Sequence, residues 1–146
     1  MTTVEATISG RPADFPKVSG MVDALAAAHR LPMDVVADMQ VALDEVLSNI
    51  IRHGNGHRLA REIRVRVTLA PNVLMAEVED DGPPFDPLTL PPPDLTSPLR
   101  ERAVGGLGIH FVKHLMNDVR YAFIRDRNRL VLTRHVTREG KPSGSP

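Results

Sequence analysis

Apolar and polar residues alternate without a break from Glu62 to Leu69, with Ile63, Val65, Val67 and Leu69 on one side and Glu62, Arg64, Arg66 and Thr68 on the other. A strand with one face in a core reads this way, because successive side chains leave an extended backbone on opposite faces. Ala70-Pro71-Asn72 supplies a turn, after which Leu74, Ala76 and Val78 alternate with Met75, Glu77 and Glu79 up to Asp80. The two stretches predict an antiparallel hairpin, and hence a sheet that must lay its apolar face against something. Arg61, Arg64 and Arg66 have Glu62, Glu77 and Glu79 within reach, which predicts cross-strand charge pairs on the outer face rather than a basic docking patch.

Helical spacing elsewhere supplies the covering layer. Val4, Ala6 and Ile8 form a short first strand, placed at a sheet edge and ended by Ser9-Gly10-Arg11-Pro12. Asp14 then caps a helix in which Phe15, Val18, Val22 and Leu25 recur, running to about His29. Leu31-Pro32 opens a central helix with Asp34 in its first turn, which Gly54 or Gly56 ends. Periodicity vanishes from Gly82 to Gly106, a stretch holding Pro83, Pro84, Pro87, Pro91, Pro92, Pro93 and Pro98, and a loop of that length in a small domain is functional or mobile. Ile109, Val112, Leu115 and Met116 mark a last helix. Strands follow at 119–124 and 130–136, joined by the polar turn Arg125-Asp126-Arg127-Asn128. The order predicts an α/β two-layer sandwich, a mostly antiparallel sheet covered on one face by helices. Residues 1–138 form the single domain, and 139–146 a disordered tail that has nothing to bury.

Composition narrows the function classes. Eighteen basic and eighteen acidic residues cancel, so no global field draws the chain to nucleic acid or to an anionic membrane. There is no cysteine, which removes disulfides and thiolate chemistry. Neither a signal pattern nor an apolar run near the roughly 20 residues of a membrane span is visible, and a cytoplasmic location is expected.

The chemistry-bearing stretch is QVALDEVLSNIIRHG, Gln40 to Gly54. Leu43, Leu47, Ile50 and Ile51 make its buried stripe, while Glu45 and Asn49, one helical turn apart, leave on one face with Ser48 and Arg52 close by. A solvated Glu and Asn on an outer face would need no explanation, as Asp34, Asp38 and Asp44 need none. Two glycine-bearing stretches downstream argue for a nucleotide instead. Asp80-Asp81-Gly82 ends a strand where a carboxylate can accept from an exocyclic amine and glycine lets a planar ligand approach. Gly105-Gly106-Leu107-Gly108 opens a helix whose unpaired N–H groups suit an anion. The lysines are Lys17, Lys113 and Lys141 and no GxxxxGK[ST] occurs, so phosphates must be held without a P-loop. With a nucleotide in place, the Asn49 oxygen is a candidate ligand for Mg²⁺, Glu45 a candidate base for an attacking hydroxyl, and Arg100 or Arg102 a counter-charge for the terminal phosphate. His53 with His57 and His110 with His114 have a metal-like spacing, but neither pair has a third ligand in view.

DEVLSNIIRHG, DDGPPFDP and GGLGI resemble the N, G1 and G2 boxes of the GHKL, or Bergerat-fold, ATPases, and most closely those of the anti-sigma-factor serine/threonine kinases of bacterial partner-switching systems. The resemblance runs from about Pro12 to His135. It implies that Glu45 is the base, Asn49 the Mg²⁺ ligand, Asp80 the reader of the adenine amino group with Gly82 beside the base, and Gly106, Leu107 and Gly108 the shapers of an ATP lid. Thr133 is a looser match for a threonine that supports the adenine end. Arg102 lies further from the glycines than the lid arginine of related kinases. The implied activity is ATP- and Mg²⁺-dependent phosphorylation of an anti-sigma-factor antagonist by a protein that also sequesters a sigma factor, with relatives commonly homodimeric. A nucleotide-gated protein that sequesters a regulator without phosphate transfer is the alternative.

Overall fold

In a computed structural model, which describes residues 1–53, 62–91 and 106–137, the alternating stretches pair as their patterns require. β1 is Thr2–Ile8, α1 Phe15–His29, α2 Met33–His53, β2 Ile63–Ala70, β3 Val73–Asp80, α3 Gly106–Leu115, β4 Asp118–Ile124 and β5 Arg127–His135. The sheet order is β1-β2-β3-β5-β4, with every pairing antiparallel, so β1 does lie at an edge. The β2–β3 register sets Arg64 opposite Glu79 and Arg66 opposite Glu77.

One face of the sheet is dry. Ile63, Val65 and Val67 of β2, Leu74, Ala76 and Val78 of β3 and Leu132 of β5 are at most 1% exposed. They meet Val22 of α1, Met39, Leu43 and Leu47 of α2, and Ile109 and Val112 of α3. Each such side chain contributes about 1.5–3 kcal/mol through water exclusion, which suffices to hold the helices on that face. The other face carries a charge ladder: Glu5–Arg66 at 3.1 Å, Arg66–Glu77 at 3.6 Å, Arg64–Glu79 at 3.5 Å, and Arg129 at 2.8 Å from both Glu77 and Glu79. These carboxylates occupy the guanidinium groups around them, as the cross-strand reading of Arg64 and Arg66 requires; Arg61 lies outside the described residues. No helix among the described residues is long and apolar enough to cross a membrane.

Four local expectations need correction. Asp14 stands at the start of α1 without capping it, because its carboxylate instead accepts from the Ser9 backbone N–H and hydroxyl and ties the end of β1 to the helix. The β4–β5 turn is two residues, not four. Arg125 and Asp126 take φ values of 55° and 63°, the left-handed pair that matches strand twist, so Arg127 and Asn128 already belong to β5. In α2, Ile51 is partly exposed and Asn49 is buried. Asp34 and Asp38 both reach Arg134 of β5, at 3.5 and 3.0 Å, rather than facing solvent alone. The proposed helix stops Gly54 and Gly56, most of the proline-rich loop and the tail at 139–146 lie outside the described residues.

Candidate functional site

Asn49 follows Ala42, Leu43, Val46 and Leu47 along the stripe that α2 turns to the sheet, and is only 3% exposed. Its Oδ1 accepts from Arg52 Nη2 at 2.9 Å, but its Nδ2 has no partner among the described residues. An orphaned buried amide donor costs on the order of 1–3 kcal/mol, which a helix chosen for stability would avoid. One turn earlier, Glu45 projects towards α3. A Cβ added to Gly108 would collide with the Glu45 carboxylate, so Glu45 can lie against the start of α3 in this pose only because position 108 has no side chain.

Across the recess, β3 ends in Asp80, 5% exposed. Its Oδ1 accepts from the Gly82 N–H at 2.9 Å and from Asn128 Nδ2 at 3.1 Å, leaving Oδ2 with no bond to either. Burial pushes the Asp80 carboxyl above its ordinary pKa, and the two donors pull against that shift. Asn128 faces Asp80 because the β3–β5 register pairs the two residues. Its Nδ2 also reaches the carbonyls of Gly82 at 3.3 Å and Pro83 at 2.9 Å, while its Oδ1 accepts from Phe85 N–H at 3.0 Å and from the Tyr121 hydroxyl. Burial raises the Tyr121 pKa, which keeps that hydroxyl a donor.

Between these walls lies a narrow recess of about 30 Å³ that opens to solvent, lined among others by Val46, Asn49, Val78, Asp80, Phe85 and Tyr121. At the end of α2 the His53 ring stacks on Phe85, centroids 4.4 Å apart and planes 15° from parallel. Burial, helped by the Arg52 charge, lowers the His53 pKa and so favours the neutral ring. Largely apolar walls with the Asp80 carboxylate at the floor and the Asn49 and Asn128 amides beside it suit a flat heterocycle bearing an amino group.

A family model described as a histidine kinase-like ATPase domain matches residues 8–134. The chain belongs to the histidine kinase-like ATPase family. Serine-protein kinase RsbW of Bacillus thuringiensis (strain Al Hakam) is 31% identical over 111 residues, covering 73% of this chain and 68% of the relative, and RsbW of Bacillus anthracis matches to the same extent. A solved chain holding the RsbU and RsbW domains of Rv1364c from Mycobacterium tuberculosis covers 94% of this chain with a TM-score of 0.67 at 17% identity, which shows a shared fold. This chain spans 33% of that solved chain.

For a histidine kinase-like ATPase the residues expected from sequence divide clearly. Asn49 and Asp80 share the recess, Gly82 is buried beside Asp80, Glu45 abuts Gly108, and Gly106 and Leu107 begin α3. Thr133 is not at the site. Leu130 and Leu132 are the inward residues of β5, so Thr133 points to the outer face opposite Met75 and Asp118, and Asn128 stands where support for Asp80 is needed. Arg100, Arg102 and Gly105 lie outside the described residues, as does His57. His110 Nε2 sits 3.2 and 3.0 Å from the carbonyls of Leu90 and Pro91, which fastens the start of the loop to α3. Asn128, Tyr121, Phe85 and His53 were not anticipated as site residues. Counting back by twos from Leu132 and Leu130 reaches Asn128 and would have found it.

The donors present fit the groups such a family uses. Asp80 Oδ2 suits an amine, and the recess-lining Asn49 offers the single neutral oxygen that a largely hydrated Mg²⁺ takes from protein, once Arg52 releases it.

Proposed function

We propose that this chain is an ATP- and Mg²⁺-dependent serine/threonine protein kinase that phosphorylates an anti-sigma-factor antagonist, sequesters a sigma factor on another surface, and works in the cytoplasm through the domain at residues 1–138. One observation carries the reading: Asn49 and Asp80, far apart in sequence, border one recess, while Glu45 one turn from Asn49 stands against the glycine-led start of α3. Relatives named serine-protein kinase add the reaction class.

Asp80 receives the exocyclic amine of the base on Oδ2, and Val46 and Val78 exclude water from its faces. The phosphates extend towards α3, whose first-turn N–H groups at Gly106, Leu107 and Gly108 have no partner within the helix and suit an anion. Asn49 would hold Mg²⁺, which when bound offsets phosphate charge. Arg102 is the proposed partner of the terminal phosphate. Glu45 takes the proton of the acceptor Ser or Thr hydroxyl as its oxygen bonds the terminal phosphorus; the bond from that phosphorus to the bridging oxygen breaks, and ADP carries away the electron pair.

The test is incubation with γ-labelled ATP and candidate antagonist proteins from the same genome. Label on a Ser or Thr of one of them is expected, with Glu45→Ala lowering transfer by about 10²–10⁴-fold while ATP affinity changes little. Phosphate release without protein labelling, or an output untouched by Glu45→Ala, would mean a nucleotide-gated sequestering protein instead.

A further inference from the structure

The amide of Asn128 is oriented by its surroundings. The Phe85 N–H and the Tyr121 hydroxyl point at one of its terminal atoms, and the carbonyls of Gly82 and Pro83 and the Asp80 carboxylate at the other. A backbone N–H can only donate and a backbone carbonyl can only accept, so the first atom is the oxygen and the second the nitrogen. Asn128 therefore presents a donor to Asp80 and cannot turn over without setting donor against donor at Phe85 and acceptor against acceptor at Pro83. At 7% exposure it does this in a low-dielectric setting, where a mispaired group is most costly.

Asp80 is constrained in turn. With Oδ1 held by both Gly82 N–H and Asn128 Nδ2, the plane of the carboxylate is fixed, and the oxygen left for a ligand is Oδ2, an acceptor. The same amide pins the backbone of residues 82–85, so the carboxylate and the loop that roofs the recess are set by one side chain.

Building on the ATP-site reading above, we propose that Asn128, locked by Tyr121, is a positioning residue that makes the site select a 6-aminopurine over a 6-oxopurine. A carboxylate fixed as an acceptor pairs with the amino group of ATP and repels the carbonyl of ITP, which differs at that position. A site built to bond one polar group rejects the analogue lacking it far more strongly than shape alone can. Released from Asn128, the Asp80 carboxylate can tilt out of line with the amine, or take up a proton and donate to a carbonyl.

Affinities for ATP and ITP, measured by displacement of a fluorescent ADP analogue from the full chain, test this. The wild type is expected to favour ATP by about 100-fold or more. Asn128→Ala should cut that ratio at least tenfold, chiefly by losing ATP, and Tyr121→Phe, which keeps the ring and removes one hydroxyl, should cut it in the same direction by a smaller factor. If Asn128→Ala does not fold, Tyr121→Phe decides. Equal weakening of both nucleotides, with the ratio kept, would make the network merely structural and overturn the proposal while leaving the ATP site standing. A wild-type chain that binds neither nucleotide would remove the ATP-site reading as well.

Discussion

At the scale of single residues, Asp80 sits where its charge is least welcome. Burial raises its pKa relative to the unfolded chain, so between the ordinary carboxylate value near 3.8 and the higher folded value the native state holds more protons. Stability attributable to this group is thus full at low pH and lost as pH rises through that window. Asp80→Asn keeps an oxygen for Gly82 N–H and Asn128 and removes the buried charge. The substituted chain should therefore melt above the wild type at pH 7, with the gap closing on acidification, and should bind ATP at least 100-fold more weakly because a donor now faces the amine. Thermal melts at several pH values and a binding isotherm check both halves. A variant that melts lower at pH 7 with ATP affinity kept would show that Asp80 serves the fold instead.

At the scale of elements, the pose of Glu45 between α2 and α3 depends on Gly108, and Gly108→Ala is the sharpest probe of it. The methyl would meet the Glu45 carboxylate, so that side chain must swing away from the start of α3. Phosphate transfer should fall by about 10-fold or more, since misplacing a reacting group by about 1 Å can remove 10²-fold, while ATP affinity changes less. Transfer and binding falling together would argue for loss of the helix start itself. This packing also explains what the sequence could disclose. Alternation in β2 and β3 is a property of each strand alone, and Leu43 and Leu47 announce the stripe of α2, so the hairpin, the helices and the covered face are legible. The burial of Asn49 is not, because a polar residue in a helix is outward by default and only the sheet opposite shows it buried. Asn128 was hidden by its liking for turns: the two-residue turn takes up left-handed backbone at Arg125, which does not favour it, and at Asp126, which tolerates it, and so frees Asn128 for the strand. Thr133 came from a resemblance, and strand parity overrules it.

At the scale of the whole molecule, the recess has one wall from α2, a floor where β3 and β5 meet, and a roof from the loop after Gly82, so a ligand there ties together parts of the chain distant in sequence. A ligand that binds only the folded chain stabilises it by mass action, about 2.7 kcal/mol at a hundred times its dissociation constant. For a chain of this size that is a rise in melting temperature of roughly 5–11 °C, at about 2–4 °C per kcal/mol. ATP with Mg²⁺ should produce such a shift, and chelating the metal should shrink it. Asn49→Ala separates the metal from the base: it deletes the amide oxygen and the orphaned Nδ2 together, so the ATP shift should become the same with and without Mg²⁺ while the Asp80 contact still gives a residual rise. If the shift in Asn49→Ala still grew on adding Mg²⁺ by as much as in the wild type, the metal would be held by phosphates and water alone, and the burial of Asn49 would need another cause.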